Sequence, residues 1–246
     1  MWAQHCLAHV YGEQGRVSEG IAALEDYAPR WKTFGQYIQS HNWFHLASLY
    51  LMQLDFDRAL DAYRNHIWGF QSDEVVEHTD AILLLWYVEL AGGKVQERWS
   101  EIAPHIRAKA HEQVFPFLTT IYLYALERAG QSAEVDSALA EMEEYARSQT
   151  GRAAYVWNEI GLKQARGSVA FARADFDQAA ALLGGALGDI ACAGGSDEQR
   201  AVFAQSHFLS LSRAGLTQQA QQALHDYLAG RSSTALSRRW RAEIGG

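Results

Sequence analysis

Apolar residues recur along the chain at the three- and four-residue spacing of helices, and short polar or glycine-containing segments interrupt them at regular intervals. No run alternates between apolar and polar residues as a half-buried strand would. In five stretches an apolar helical segment reaches a short turn and a second helix follows. These stretches are "LAHVYGEQGRVSEGIAAL" (7–24), "ASLYLMQLDFDRALDAY" (47–63), "YLYALERAGQSAEVDSAL" (122–139), "SVAFARADFDQAAALL" (168–183) and "LSLSRAGLTQQAQQAL" (209–224).

The turns of these stretches lie at equivalent positions, and a weaker sixth copy turns at Gly92–Gly93. Successive turns are 39, 38, 38, 44 and 41 residues apart, at Gly15, Leu54, Gly92, Gly130, Ala174 and Gly215. A period of this length predicts an array of helical hairpins, because one helix pair cannot cover its own apolar face and stacks on the next pair. The pattern resembles tetratricopeptide repeats with an elongated period.

We therefore predict an all-α fold, a tetratricopeptide-like α-solenoid of about six antiparallel helix hairpins in a right-handed superhelix. The repeats span residues 1–230. Residues 231–246 carry a cluster of three arginines and are predicted to form a basic C-terminal tail or a short helix.

The amino-acid composition limits the classes of partner that the protein is expected to bind. The chain has a net charge of −8, which disfavours binding to nucleic acid or to anionic membranes, since both need a basic surface. The longest apolar run, residues 81–88, is too short to span a bilayer, and no signal-peptide pattern opens the chain. Cys6 and Cys192 match no metal or redox spacing. We expect a cytoplasmic protein with two reduced, buried thiols.

Several motifs resemble, in order, the C-terminal half of the tetratricopeptide repeat protein 38 family. They are "WAQHCLAHVYGEQGRVSEGIAALE", "HNWFHLA", "ALDAYRNHI", "DAILLLWYVELAGG" and "GGSDEQRAVFAQ", and the similarity runs from about Trp2 to Arg241. Members of the family are about twice as long, have further helical repeats before the segment matching Trp2, and have no established enzyme activity. The resemblance thus implies a helical repeat protein.

The chain departs from that family at two positions. Thr120 and Tyr122, in "FLTTIYLYAL", occupy positions where the family usually carries an Asp and a His. If those groups form a functional site in the family, this chain retains only part of it.

The first helices of stacked hairpins line the concave wall of a solenoid, and polar residues recur on these helices. The leading prediction is a non-catalytic scaffold that binds a protein, a peptide or a small ligand on this wall and needs no cofactor. The expected ligand-binding residues combine polar groups with apolar aromatic walls: His9, His41, Trp43, His45, Asp80, Trp86, Tyr122 and Arg200.

The alternative is a metal-binding protein or a metal-dependent enzyme. His5 and His9 lie four residues apart on the first predicted helix. His41 and His45 are also four residues apart, on the first helix of the second repeat. Residues at this spacing share a helix face, so with Asp80 the two pairs would suit zinc or another transition metal. Against this, the imidazoles could simply hydrogen-bond to backbone or water and pack against aromatic neighbours.

The N-terminal helix is expected to need a covering partner. Trp2, Leu7, Val10 and Tyr11 cannot all be buried against one neighbouring helix, and solenoids need covered ends. We predict a homodimer, or contact with a partner chain, through this helix.

Overall fold

The computed structural model describes residues 2–33 and 35–245, and every regular element among them is helical, which confirms the predicted all-α class. Within the described part of the chain, no helix combines the length and apolarity needed to cross a membrane. The α-helices are α1 (Trp2–Gln14), α2 (Val17–Trp31), α3 (Gln36–Met52), α4 (Phe56–Ala62), α5 (Val75–Leu90), α6 (Trp99–Ile106), α7 (Pro116–Arg128), α8 (Ser132–Ser148), α9 (Gly151–Tyr155), α10 (Leu162–Ala172), α11 (Phe176–Gly184), α12 (Asp197–Arg213), α13 (Thr217–Leu228) and α14 (Ala235–Gly245).

Within residues 2–33 and 35–245, two π-helical segments and three 3₁₀ segments extend or connect these helices. The π segments are Tyr63–Ile67, which continues α4, and Val156–Gly161, which joins α9 to α10. The 3₁₀ segments are Gln96–Arg98, Ala108–His111 and Leu187–Ala193.

The residues group into two units. Unit 1 comprises residues 1–94 and 225–246, and unit 2 comprises residues 95–224. The single repeat domain up to residue 230 that the sequence predicted stays a prediction. The predicted burial of both thiols is wrong, since Cys6 and Cys192 are exposed. The superhelical arrangement of the hairpins stays a prediction.

The six predicted turn residues all adopt the same backbone conformation. Their φ angles are 64°, 63°, 87°, 76°, 62° and 78° at Gly15, Leu54, Gly92, Gly130, Ala174 and Gly215. Each turn also has the same pair of hydrogen bonds. At the second turn, for example, Leu54 N–H donates to the Leu51 carbonyl and Asp55 N–H donates to the Tyr50 carbonyl, both at 2.9 Å. This left-handed C-terminal motif ends a helix and reverses the chain, which confirms the six turn positions.

After several of the connections, a side chain caps the N-terminus of the helix that follows. The Asp55 carboxylate accepts the Arg58 N–H at 3.1 Å, and Asp175 accepts the Gln178 N–H at 3.2 Å, as an N-cap requires. In "GGSDEQR", Ser196 and Gln199 form a capping box at the start of α12. These caps explain where α4, α11 and α12 begin.

In unit 1, α3 packs against α1, α2, α4 and α5. The run "AILLLWYV" falls in α5, which is buried over most of its length. The C-terminal segment forms α14, and its Trp240 is buried and donates Nε1–H to the Leu90 carbonyl at 3.2 Å. The predicted tail therefore contains a helix that packs into unit 1.

Candidate metal centre

Two histidine pairs lie on neighbouring helices of unit 1. His5 and His9 are one turn apart on α1, and their Nε2 atoms are 3.1 Å apart. His41 and His45 are one turn apart on α3, with their Nε2 atoms 3.3 Å apart. The i, i+4 spacing thus directs the two rings of each pair toward one another, as the sequence predicted.

The packing of α1 on α3 places these four rings in one cluster. The ring of His45 lies 4.6 Å from that of His5 and 4.5 Å from that of His9, measured between centroids. One nitrogen from each of His5, His41 and His45 lies within 4.8 Å of the others. We call these four side chains, His5, His9, His41 and His45, the histidine cluster.

Asp80 contacts the histidine cluster from α5. Both of its carboxylate oxygens lie 3.0 Å from Nδ1 of His41, and the carboxylate is fully buried. A carboxylate at this distance holds the proton on Nδ1, so the lone pair of a neutral His41 ring is at Nε2. That nitrogen is the one that approaches His45. Asp80 therefore fixes the orientation of the His41 ring, as carboxylates do for the histidines of metal sites.

A second buried carboxylate, Glu77, lies one helical turn before Asp80 on α5. Its Oε2 accepts hydrogen bonds from Ser72 Oγ at 2.5 Å and from Gln36 Nε2 at 2.8 Å. Its Oε1 is buried and has no hydrogen-bond partner in the described part of the chain. The sequence prediction missed Glu77, although its spacing of three residues from Asp80 was a signal that both face the same side of α5.

The charges of these carboxylates have no lysine or arginine counterpart among the described residues, and Asp80 has only the His41 ring beside it. Among the described residues, no lysine or arginine forms an ion pair with Asp80 or Glu77. Buried carboxylates are normally paired with a cation, because leaving a charge unpaired in the protein interior is costly. The surroundings of the histidine cluster therefore favour added positive charge.

The histidine cluster is buried on one side and accessible on the other. His45 is almost fully buried, whereas the side chain of His41 keeps 14% of its exposure, and His5 and His9 are partly exposed. An ion can thus reach the cluster from solvent, while the carboxylates beneath it stay shielded from water.

The structure separates Trp43 from the histidine cluster. Trp43 stacks on His66, with ring centroids 3.8 Å apart and ring planes 8° apart, and it meets Trp31 edge-on. Together with Tyr50 and Arg58 it lines a cavity of about 460 Å³ between α2, α3 and α4. Burial lowers the pKa of His66, so its ring stays neutral at pH 7.

The other predicted ligand-binding residues have separate surroundings. Trp86 is fully buried in α5. In unit 2, Tyr122 and Thr120 are buried in α7, and burial raises the pKa of the Tyr122 hydroxyl. Arg200, in the first turn of α12, contacts the Asp197 carboxylate and the Gly195 carbonyl. It therefore stabilises the local loop, and its role in ligand binding stays a prediction.

No protein-family model matches the chain, and no solved structure matches it. The resemblance to the tetratricopeptide repeat protein 38 family consequently stays a prediction.

Proposed function

We propose that unit 1 binds one divalent transition-metal ion through His5, His9, His41 and His45, and that this ion is zinc. The observation that carries the proposal is the convergence of the four rings as two close pairs of Nε2 atoms, 3.1 and 3.3 Å apart.

The spacing within each pair fits tetrahedral coordination. Imidazole nitrogens bind Zn²⁺ at 2.0–2.1 Å, so two such ligands at the tetrahedral angle are about 3.3 Å apart. Each histidine pair is close to that separation before any ion is added. Small side-chain adjustments would then bring α1 and α3 ligands onto one ion, since the rings of the two pairs are already in contact.

The type of ligand and the local charge favour zinc in particular. Imidazole binds zinc, copper, nickel and iron, but a tetrahedral set without thiolate favours zinc over the square-planar preference of Cu²⁺ and Ni²⁺. Four neutral imidazoles leave the ion with its full charge of +2. That charge would balance the two buried carboxylates, Asp80 and Glu77.

The proposed centre is structural. Catalytic zinc sites usually have three protein ligands and keep a position for water or substrate, whereas four protein ligands close the coordination sphere. This favours a non-catalytic role, in agreement with the leading sequence prediction on that point.

Elemental analysis of the purified chain, after loading with zinc and removal of free metal, tests the proposal. We expect about one zinc per chain in the wild type and almost none in the His41→Ala/His45→Ala variant. The matched control is His225→Gln, which removes an exposed histidine outside the cluster and should leave zinc content unchanged. If the imidazoles only hydrogen-bond to one another, the wild type will hold no stoichiometric metal, and the proposal fails.

Small-ligand binding is a second candidate, favoured by one observation. The cavity beside Trp43 has the volume of a typical ligand site, about 460 Å³, and combines an aromatic wall with charged residues at its rim, including Lys32 and Asp61. We propose that this cavity binds a small planar molecule. The scaffold function predicted from the sequence, with a ligand on the concave wall, is a separate prediction.

A thermal-shift screen of aromatic carboxylic acids tests this second candidate. A compound that stabilises the wild type should lose its effect in the Trp43→Ala variant and keep it in a histidine-cluster variant. Binding that persists without Trp43 would place the ligand elsewhere.

A further inference from the structure

Helix α1 buries little apolar surface against the rest of unit 1. Ala8 is its one buried residue among residues 2–14, whereas α3 buries nine of its residues. The large apolar side chains of α1 stay exposed: Trp2 is 60% exposed although its ring meets Tyr37 of α3, and Leu7 and Val10 are 37% and 44% exposed. Since hydrophobic stabilisation scales with the apolar area removed from water, α1 gains less from docking than the helices around it.

The polar contacts of α1 outside the histidine cluster are few and partly exposed. Gln4 accepts the Trp31 Nε1–H at 2.9 Å, and Glu13 forms a 3.0 Å ion pair with Arg231. Exposed ion pairs of this kind contribute little to stability. At the cluster, His5 and His9 of α1 meet the rings of His41 and His45 of α3, and further along the helix Gly12 lies close to Leu49 and Met52.

We infer that the bound ion is what fixes α1 against α3, so that the docking of this helix depends on metal. The inference rests on the proposed metal site. Two of the four ligands come from each helix, so full coordination exists only while α1 is docked. By linkage, an ion that binds the docked state more tightly stabilises that state, and removing the ion favours local opening of α1.

Hydrogen exchange measured by mass spectrometry compares the chain in chelator with the zinc-loaded chain. At a free zinc concentration 100 times Kd, opening that abolishes coordination becomes about 100-fold rarer. We therefore expect exchange in α1 to slow by up to that factor. Amides of α11, which lies in unit 2, serve as the control: those that exchange by local opening of that helix should exchange equally in both states.

Zinc stoichiometry, measured on the same samples, separates the two ideas. Equal exchange of α1 in both states, with one zinc bound per chain, would overturn the inference and leave the proposed metal site standing. A chain that binds no zinc would overturn both. In the His5→Gln/His9→Gln variant, the exchange of α1 should be independent of zinc, and a zinc-dependent slowing there would also contradict the inference.

Discussion

At the scale of single residues, the contact between Asp80 and His41 is the detail that most favours ligation. The carboxylate keeps the Nδ1 proton in place and leaves Nε2 directed at the other histidines. Such second-layer partners tune the metal affinity without touching the ion. Asp80 is thus a positioning residue, distinct from the four proposed ligands.

Replacing Asp80 by Asn should weaken zinc binding 10- to 100-fold, the usual cost of losing a second-layer carboxylate. Competition with a chromophoric chelator measures the change in Kd. The control is Asp26→Asn, which removes an exposed acid of α2 and should not change the affinity. Unchanged zinc affinity in a folded Asp80→Asn variant would contradict the role given to Asp80.

His111 provides a pH-dependent contact in unit 2. Its Nε2 lies 2.7 Å from Glu134 and its Nδ1 lies 2.8 Å from Glu141. Hydrogen bonds to Glu134 and Glu141 raise the pKa of His111 above its ordinary value of 6.5. A raised pKa in the folded state means that the protonated ring stabilises the fold below about pH 6.5, and that this contribution is lost as pH rises through the raised pKa.

The His111→Gln variant should therefore be less stable than the wild type at pH 5.5, and the difference should shrink by pH 8.5. Urea unfolding at both pH values measures it. A stability difference that grows toward alkaline pH would show that protonation of His111 does not stabilise the fold.

The sequence predicted the two histidine pairs but not the separate position of Trp43, and helix geometry explains both outcomes. The spacing of His5 from His9 and of His41 from His45 defined each pair, because helix geometry is local. Trp43 was assigned to the same wall, yet a residue two positions from each of His41 and His45 lies on the opposite side of a helix. The prediction grouped all polar and aromatic residues of a first helix on one wall, whereas Trp43 stacks on His66 away from the histidine cluster, and its role in ligand binding stays a prediction.

At the scale of elements, the six turns are the most regular feature of the chain. Four of the turn residues are glycine, which adopts a positive φ without steric cost, but Leu54 and Ala174 adopt the same conformation with a side chain. A left-handed conformation costs roughly 1–2 kcal/mol for a residue with a Cβ atom. The fold thus maintains two strained turns.

Two opposite substitutions, alanine to glycine at one turn and glycine to alanine at another, test whether the left-handed conformation is strained. Ala174→Gly should stabilise the chain by about 0.5–1 kcal/mol, because the relief of strain exceeds the added flexibility of the unfolded chain. Gly130→Ala should destabilise it by about 1 kcal/mol, and the effect comes from φ alone, since a Cβ added there has no atom within 4 Å. Urea denaturation measures both. Changes of the same sign would contradict the equivalence of the two turns.

The turns were predictable because they depend on short local signals, a glycine or polar residue after an apolar helix. The π segments at Tyr63–Ile67 and Val156–Gly161 were not predicted. A π segment accommodates one extra residue in a helix. The tertiary packing that stabilises it cannot be read from the local pattern of apolar and polar residues. For the same reason, the sequence predicted a basic tail or a short helix at residues 231–246, but not the burial of Trp240, which depends on contact with α5, 150 residues earlier.

At the scale of the whole molecule, metal binding and folding stability are coupled. A ligand that binds only the folded state, at a free concentration 100 times its Kd, adds about 2.7 kcal/mol to the free energy of unfolding. Zinc should shift the urea denaturation curve of the wild type accordingly. The His41→Ala/His45→Ala variant should show no shift. An equal shift in both would indicate that zinc binds elsewhere.

X-ray absorption at the zinc edge tests the central claim most directly, because it reports the ligands of the ion themselves. For the zinc-loaded chain we predict about four nitrogen neighbours at 2.0–2.1 Å, with the multiple-scattering pattern of imidazole rings. A first shell dominated by oxygen, or one with only two imidazole nitrogens, would contradict the proposed centre.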